Sequence, residues 1–124
     1  MVDTHALAYY FSDRLPARID DIFRDAEMGK CQLALPSISI AELIYIYEKA
    51  GGDNKIWDMF NKIDIYPSFI ISPLDTQVLK LIPEVRLPEL HDRVITATTI
   101  ILKADALITK DKQIEESSIV KTLW

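Results

Sequence analysis

The chain is short of several things at once, and each shortage closes off a class of protein. It has one cysteine, Cys31, in 124 residues. That excludes an internal disulfide and a cysteine metal cluster, and fits a reducing, cytoplasmic setting. No stretch approaches the ~18 apolar residues of a membrane span, and the N-terminus lacks the basic start and cleavage site of a signal peptide. Internal repeats, low-complexity tracts and linkers are absent. There is no basic excess either: the formal charge is −5, which argues against a broad basic face wrapping duplex DNA. It leaves room for a nucleic-acid enzyme, because two divalent cations would bring −5 to −1. What remains is 49% hydrophobic, enough to fold residues 1–124 as a single domain around one core.

The most informative stretch runs from Glu89 to Asp111. Val94, Ile95, Ala97, Thr98, Ile101 and Leu102 recur with the spacing of a helix packed on one face. Ala106 to Thr109 is a short apolar run without alternation, as in a strand covered on both sides. Asp92 stands at the mouth of this helix and Asp111 at the exit of the strand. Ligands of open parallel sheets bind outside the carboxyl ends of the strands, so the unit offers two acids to one crevice.

The rest of the chain repeats the alternation. Asp3 is a good N-cap for a helix with Leu7, Tyr10 and Phe11 on one face. Only Met1 and Val2 precede it, so a first strand would be truncated. Pro16 opens a helix from Ala17 to about Met28, closed by Gly29. Gln32–Pro36 reads as a strand, and Ser39-Ile-Ala-Glu42 as a capping box opening a helix to Ala50. After Gly51-Gly52, a helix from Asp53 carries Ile56, Trp57, Phe60 and Ile63 as its expected buried stripe. Phe69–Ile71 is a strand, Pro73-Leu-Asp75 leads a helix to about Ile82, and Pro83 and Pro88 bracket a loop. Beyond Asp111 come a helical turn (112–116) and a terminal strand (119–123). Alternating strands and helices at this spacing predict an α/β fold with a central, mostly parallel sheet and helices on both faces.

Among 19 acids, Asp3, Glu42, Asp92 and Asp111 stand out because each lies where a helix begins. Two readings stay open. Acids belong at helix N-termini as caps and partners of the dipole, and Ser39 alone accounts for Glu42. Alternatively the sheet gathers all four. Carboxylates ~5 Å apart repel by roughly 3 kcal/mol per pair at an effective dielectric of 20, so a cluster must take up protons or cations. With oxygen ligands and no His/Cys set, Mg²⁺ or Mn²⁺ suits, and such ions support phosphodiester hydrolysis by activated water.

Val2-Asp3-Thr-His-Ala-Leu, Ser39-Ile-Ala-Glu42, Leu90-His-Asp-Arg-Val-Ile-Thr-Ala and Leu107-Ile-Thr-Lys-Asp111 resemble, in order, the four motifs of the PIN domain, and more closely the VapC-type toxin ribonucleases of toxin–antitoxin pairs. The resemblance implies a three-layer α/β/α sandwich and Mg²⁺- or Mn²⁺-dependent cleavage of RNA. It makes Asp3, Glu42, Asp92 and Asp111 the catalytic, metal-binding acids, with Thr4 and Thr109 orienting carboxylates or water. It also implies a small antitoxin that occupies the crevice, and a homodimer, which fits the apolar second and third helices. The shortened first strand departs from the pattern and predicts a weakly anchored Asp3. Arg93, Lys110 and Lys112 flank the acids and are candidates to hold substrate phosphates, with Arg14, Arg18 and Arg24 as more distant ones. His5 and His91 neighbour site acids, a loop histidine in such a place being more often solvated. A catalytically inactive PIN-like binding module is the main competing reading. A phosphoacceptor domain of the receiver type fits worse, because Asp3 is followed by Thr4-His5 rather than a second acid.

Overall fold

The structure, a computed structural model, describes residues 1–124. Helices α1 (Thr4–Phe11) and α2 (Ala17–Glu27) lead to strand β1 (Leu33–Pro36). Helices α3 (Ser37–Lys49) and α4 (Asp53–Ile65) then lead to β2 (Phe69–Ser72). Helix α5 (Thr76–Leu81), a 3₁₀ turn (Ile82–Glu84) and α6 (Leu90–Ile101) precede β3 (Leu107–Ile108), and α7 (Lys112–Ser117) precedes β4 (Thr122–Leu123). Gly29 and Gly51 sit at φ +75° and +69°, where a side chain would be strained, and so end α2 and α3 cleanly.

Every strand pairing is parallel. Leu33 to Pro36 pair with Phe69 to Ser72, and Leu107 and Ile108 with Thr122 and Leu123. The N-terminal segment joins the two pairs. Val2 N–H donates to the Ala34 carbonyl (3.0 Å), Ile108 N–H to the Met1 carbonyl (2.8 Å), and Asp3 N–H to the Ile108 carbonyl (3.1 Å). The order across the sheet is therefore β2, β1, residues 1–3, β3, β4. Short as it is, this segment occupies the middle of the sheet. The expectation of a weakly anchored Asp3 does not hold: bonded into the sheet, Asp3 is 3% exposed.

Alternation along the strands sorts the core into two faces. Val2, Leu33, Leu35, Phe69 and Ile108 pack with α1 to α4, including a Tyr10–Phe23–Phe69 aromatic group with centroid distances of 4.6 to 6.2 Å. Met1 and Leu107 point the other way and pack with side chains of α5, α6 and α7, with Ala34 alongside. The result is a three-layer α/β/α sandwich, as the resemblance implied. Burying a side chain such as Phe23 completely contributes about 2–3 kcal/mol.

Two local expectations are corrected. Ser39 is not an N-cap, because α3 starts at Ser37 directly after Pro36. Pro36, at φ −59° and ψ 133°, needs no N–H and turns the chain straight into the helix, leaving Ser39 fully buried in the first turn. The capping-box account of Glu42 falls with it. In α4, Met59 and Ile63 are buried while Trp57 is 68% exposed, and Ile56 and Phe60 are partly covered. The helix carries more apolar residues than one face holds, and packing against α3 and β2 selects which of them go inside.

Candidate active site

The carboxyl edge of the sheet is where the four acids meet. Asp3 leaves the central segment and caps α1, its Oδ1 accepting from Ala6 N–H at 2.7 Å. Thr4, the first residue of α1, reaches across to α3, its hydroxyl bonding Glu42 Oε2 and lying 3.0 Å from Ser39 Oγ. Glu42 lies between α1 and α6, with His91 Nδ1 3.2 Å from its Oε1. Asp92 follows His91 in the first turn of α6. Asp111 leaves β3 and caps α7, its Oδ1 accepting from the Gln113 and Ile114 N–H groups at 2.8 and 3.1 Å. The Asp111 N–H in turn donates to Thr109 Oγ1 at 3.0 Å.

One cavity of about 680 Å³ takes in Asp3, Thr4, Glu42, Asp92 and Asp111 together with His5, Glu89 and His91. Ile38, Ala41, Tyr45 and Ile46 form its apolar wall along α3. The charge inside is one-sided. Burial pushes the Asp3 carboxyl above its ordinary value; Thr109, the Ala6 N–H and His5 oppose this, and Asp111 adds to it. At Asp92, burial and then the charges of Asp111, Asp3, Glu89 and Glu42 push the carboxyl up to about 6.

The capping reading holds for two of the four acids. Asp3 and Asp111 cap helices through one oxygen each. Glu42 and Asp92 cap nothing. As placed, no three acidic, histidine or cysteine side chains converge closely enough to hold a metal ion. The donor chemistry nevertheless fits a hard divalent cation, since carboxylate oxygens dominate and the repulsion felt by Asp92 is what a cation relieves.

The cationic candidates divide. Arg93 does not line the cavity; its Nε donates to the Leu87 carbonyl and holds the loop ahead of α6. Lys110 and Lys112 lie beside the acids, in a second, smaller cavity with Thr109 and Arg18. Arg24 is bound to Asp20 at 2.6 Å on the same helix. Sequence reasoning underrated His91, which contacts Glu42, and Ser39, whose buried hydroxyl faces Thr4. It passed over Glu89, which precedes α6 and lines the cavity. The signal for His91 and Glu89 was their place in the same helix start as Asp92, where side chains converge on one opening.

A parallel α/β/α sandwich with an acid-lined cavity at its carboxyl edge is the architecture of the PIN domain. A model of that domain matches residues 1–118, and the chain belongs to the PIN domain family. No curated protein is similar enough in sequence to match it. Among solved structures, the crystal structure of VapBC2 from Rickettsia felis bound to a DNA fragment from their promoter is similar. Its TM-score is 0.74, with 19% identity, 99% of this chain and 96% of that chain covered. At that identity the likeness is one of fold. No helix is long and apolar enough to cross a membrane.

Proposed function

We propose that this PIN domain is a metal-dependent endoribonuclease, the VapC-type toxin of a toxin–antitoxin pair. The observation that carries the reading is the meeting of Asp3, Glu42, Asp92 and Asp111 in one cavity from four separate parts of the chain. Asp3, Glu42, Asp92 and Asp111 would hold Mg²⁺ or Mn²⁺, which supplies an activated water and charge stabilisation for phosphodiester hydrolysis. The remaining work belongs to the chain itself. The caps at Ala6 and at Gln113 and Ile114 fix the Asp3 and Asp111 carboxylates, each through its Oδ1. Thr4 hydrogen-bonds one oxygen of Glu42 and His91 lies 3.2 Å from the other, contacts that would orient it. Thr109 steadies the backbone at Asp111 and lowers the cost of charging Asp3. Lys110 and Lys112, which line the smaller cavity, would hold substrate phosphates.

The apolar wall supports a protein partner for the same cavity. Tyr45 and Ile46 are 57% and 49% exposed beside the acids, which suits a small antitoxin that covers the wall and sets a basic side chain among the carboxylates. Exposed Trp57 on α4 fits a homodimer contact, and the working compartment is the cytoplasm. The test is cleavage of a mixed structured RNA pool by the partner-free protein with Mn²⁺, Mg²⁺ or EDTA. Metal-dependent cleavage that Asp92→Asn lowers at least a hundredfold, in protein that remains folded, is the expected result. Equal cleavage by the variant sinks the assignment.

A binding module is the second reading. It is favoured by the capping done by Asp3 and Asp111 and by the absence of a closed ligand set.

A further inference from the structure

The acid cavity is a poor place for a polyanion to dock. A negatively charged strand approaching it meets five carboxylates, those of Asp3, Glu42, Glu89, Asp92 and Asp111, on a chain of net charge −5. Affinity for a nucleic acid has to come from elsewhere on the same edge of the sheet. A second cavity of about 390 Å³ supplies the missing charge. Its side chains bring three cations, Arg18, Lys110 and Lys112, against the single acid Glu115. The two cavities share the exit of β3: Asp111, which lines the first, is flanked in sequence by Lys110 and Lys112, which line the second.

An aromatic face completes this cavity. Trp124 lines it and packs on Tyr9, with ring centroids 5.6 Å apart at 56°. Lys110 is held in place by Tyr9: its Nζ lies 2.6 Å from the Tyr9 hydroxyl and 4.4 Å from the ring centroid. An ammonium has three donors, so this contact leaves two for a ligand while removing much of the freedom a surface lysine would otherwise lose on binding. Trp124 is half-buried, but cations beside an aromatic side chain that lines a cavity are the means by which unpaired nucleotides are held, the phosphate by charge and the base by stacking. Duplex is disfavoured, because its bases offer no free face and its backbone demands a broader basic surface than this chain presents.

We propose that the cavity between Arg18, Lys110, Lys112 and Trp124 is a single-stranded RNA subsite. It would hold the phosphate and base of a nucleotide flanking the one positioned at the acids. The proposal rests on the ribonuclease reading for its substrate. It assigns binding and chemistry to separate cavities, so the two can be removed separately.

The experiment measures binding of a fluorescently labelled single-stranded RNA oligonucleotide to the full chain in EDTA across a salt series. Mn²⁺-dependent cleavage kinetics are taken alongside. The proteins are wild type, Lys110→Ala with Lys112→Ala, Arg18→Ala, Trp124→Ala and, as a charge-conserving control, Lys110→Arg. The double lysine variant is expected to bind about tenfold more weakly, with a salt slope flatter by about 1.4 for two lost phosphate contacts. Trp124→Ala weakens binding without changing the slope, and Lys110→Arg retains most of the affinity. In cleavage, these losses fall on KM and leave kcat unchanged. Binding and slope unchanged in the double variant overturn the subsite, even if the wild type cleaves RNA. A wild type that binds RNA through these residues but cleaves nothing keeps the subsite and defeats the nuclease reading.

Discussion

Asp92 stands under two opposed influences. Its place in the first turn of α6 favours a carboxylate, whereas burial and four neighbouring acids favour the neutral acid and push it up to about 6. An unfolded chain ionises the same group near 3.8. The folded state is thus penalised above pH 6, and the penalty is relieved as pH falls from 6 toward 3.8. In EDTA, Asp92→Asn is expected to melt at a higher temperature than wild type at pH 7.5. The difference should shrink through this window and vanish below about pH 4. A variant equally stable or less stable at pH 7.5 would show that the neighbouring carboxylates do not strain Asp92. Sequence pattern singled out this residue through its helix start. The repulsion was only conditional on that reading, because Asp3, Glu42 and Asp111 lie 89, 50 and 19 positions away along the chain.

Elements carry a double duty at this site. Asp111 caps α7 through two N–H groups, so deleting it removes both a cap and a site carboxylate. Asparagine caps as well as aspartate but carries no charge. Asp111→Asn should therefore stay within a few tenths of a kcal/mol of wild type in urea unfolding, while Asp111→Ala loses about 1 kcal/mol. Both should lose metal-dependent cleavage to a similar extent. Retained cleavage in Asp111→Asn alone would reduce Asp111 to a cap. Helices were the most legible elements, since Asp3, Pro16, Asp75 and the two glycines at φ > 0 each mark an end by local chemistry. The start of α3 was misread because Ser39 and Glu42 match the capping-box spacing, while Pro36 begins the helix earlier. Trp57 was misplaced because periodicity gives the number of apolar positions on α4 but not which of them meets α3.

For the whole molecule, the deciding quantity is whether a cation binds the native state alone. A ligand that does so stabilises by RT ln(1 + [L]/Kd), about 2.7 kcal/mol at a hundredfold excess over Kd. Mn²⁺ at millimolar concentration is expected to raise the melting temperature by several degrees, and the rise should disappear in Asp92→Asn. Differential scanning fluorimetry in Mn²⁺ and in EDTA measures it. No shift in the wild type would favour the binding module, whose acids serve only as caps.

The sequence by itself determined the alternation of strands and helices and most of the helix ends, and it singled out four acids at helix starts, because each rests on spacing or on residues within one turn. The tertiary structure decided what those acids face. Pairing of Val2 with Ala34 and Ile108 places a three-residue segment at the centre of the sheet and buries Asp3. Packing of α3 against α1 and α6 brings Thr4 and His91 onto Glu42. The fold also sets Lys110 on Tyr9, 101 residues away. Contacts of that range depend on how the layers close over one another, and no local periodicity encodes them.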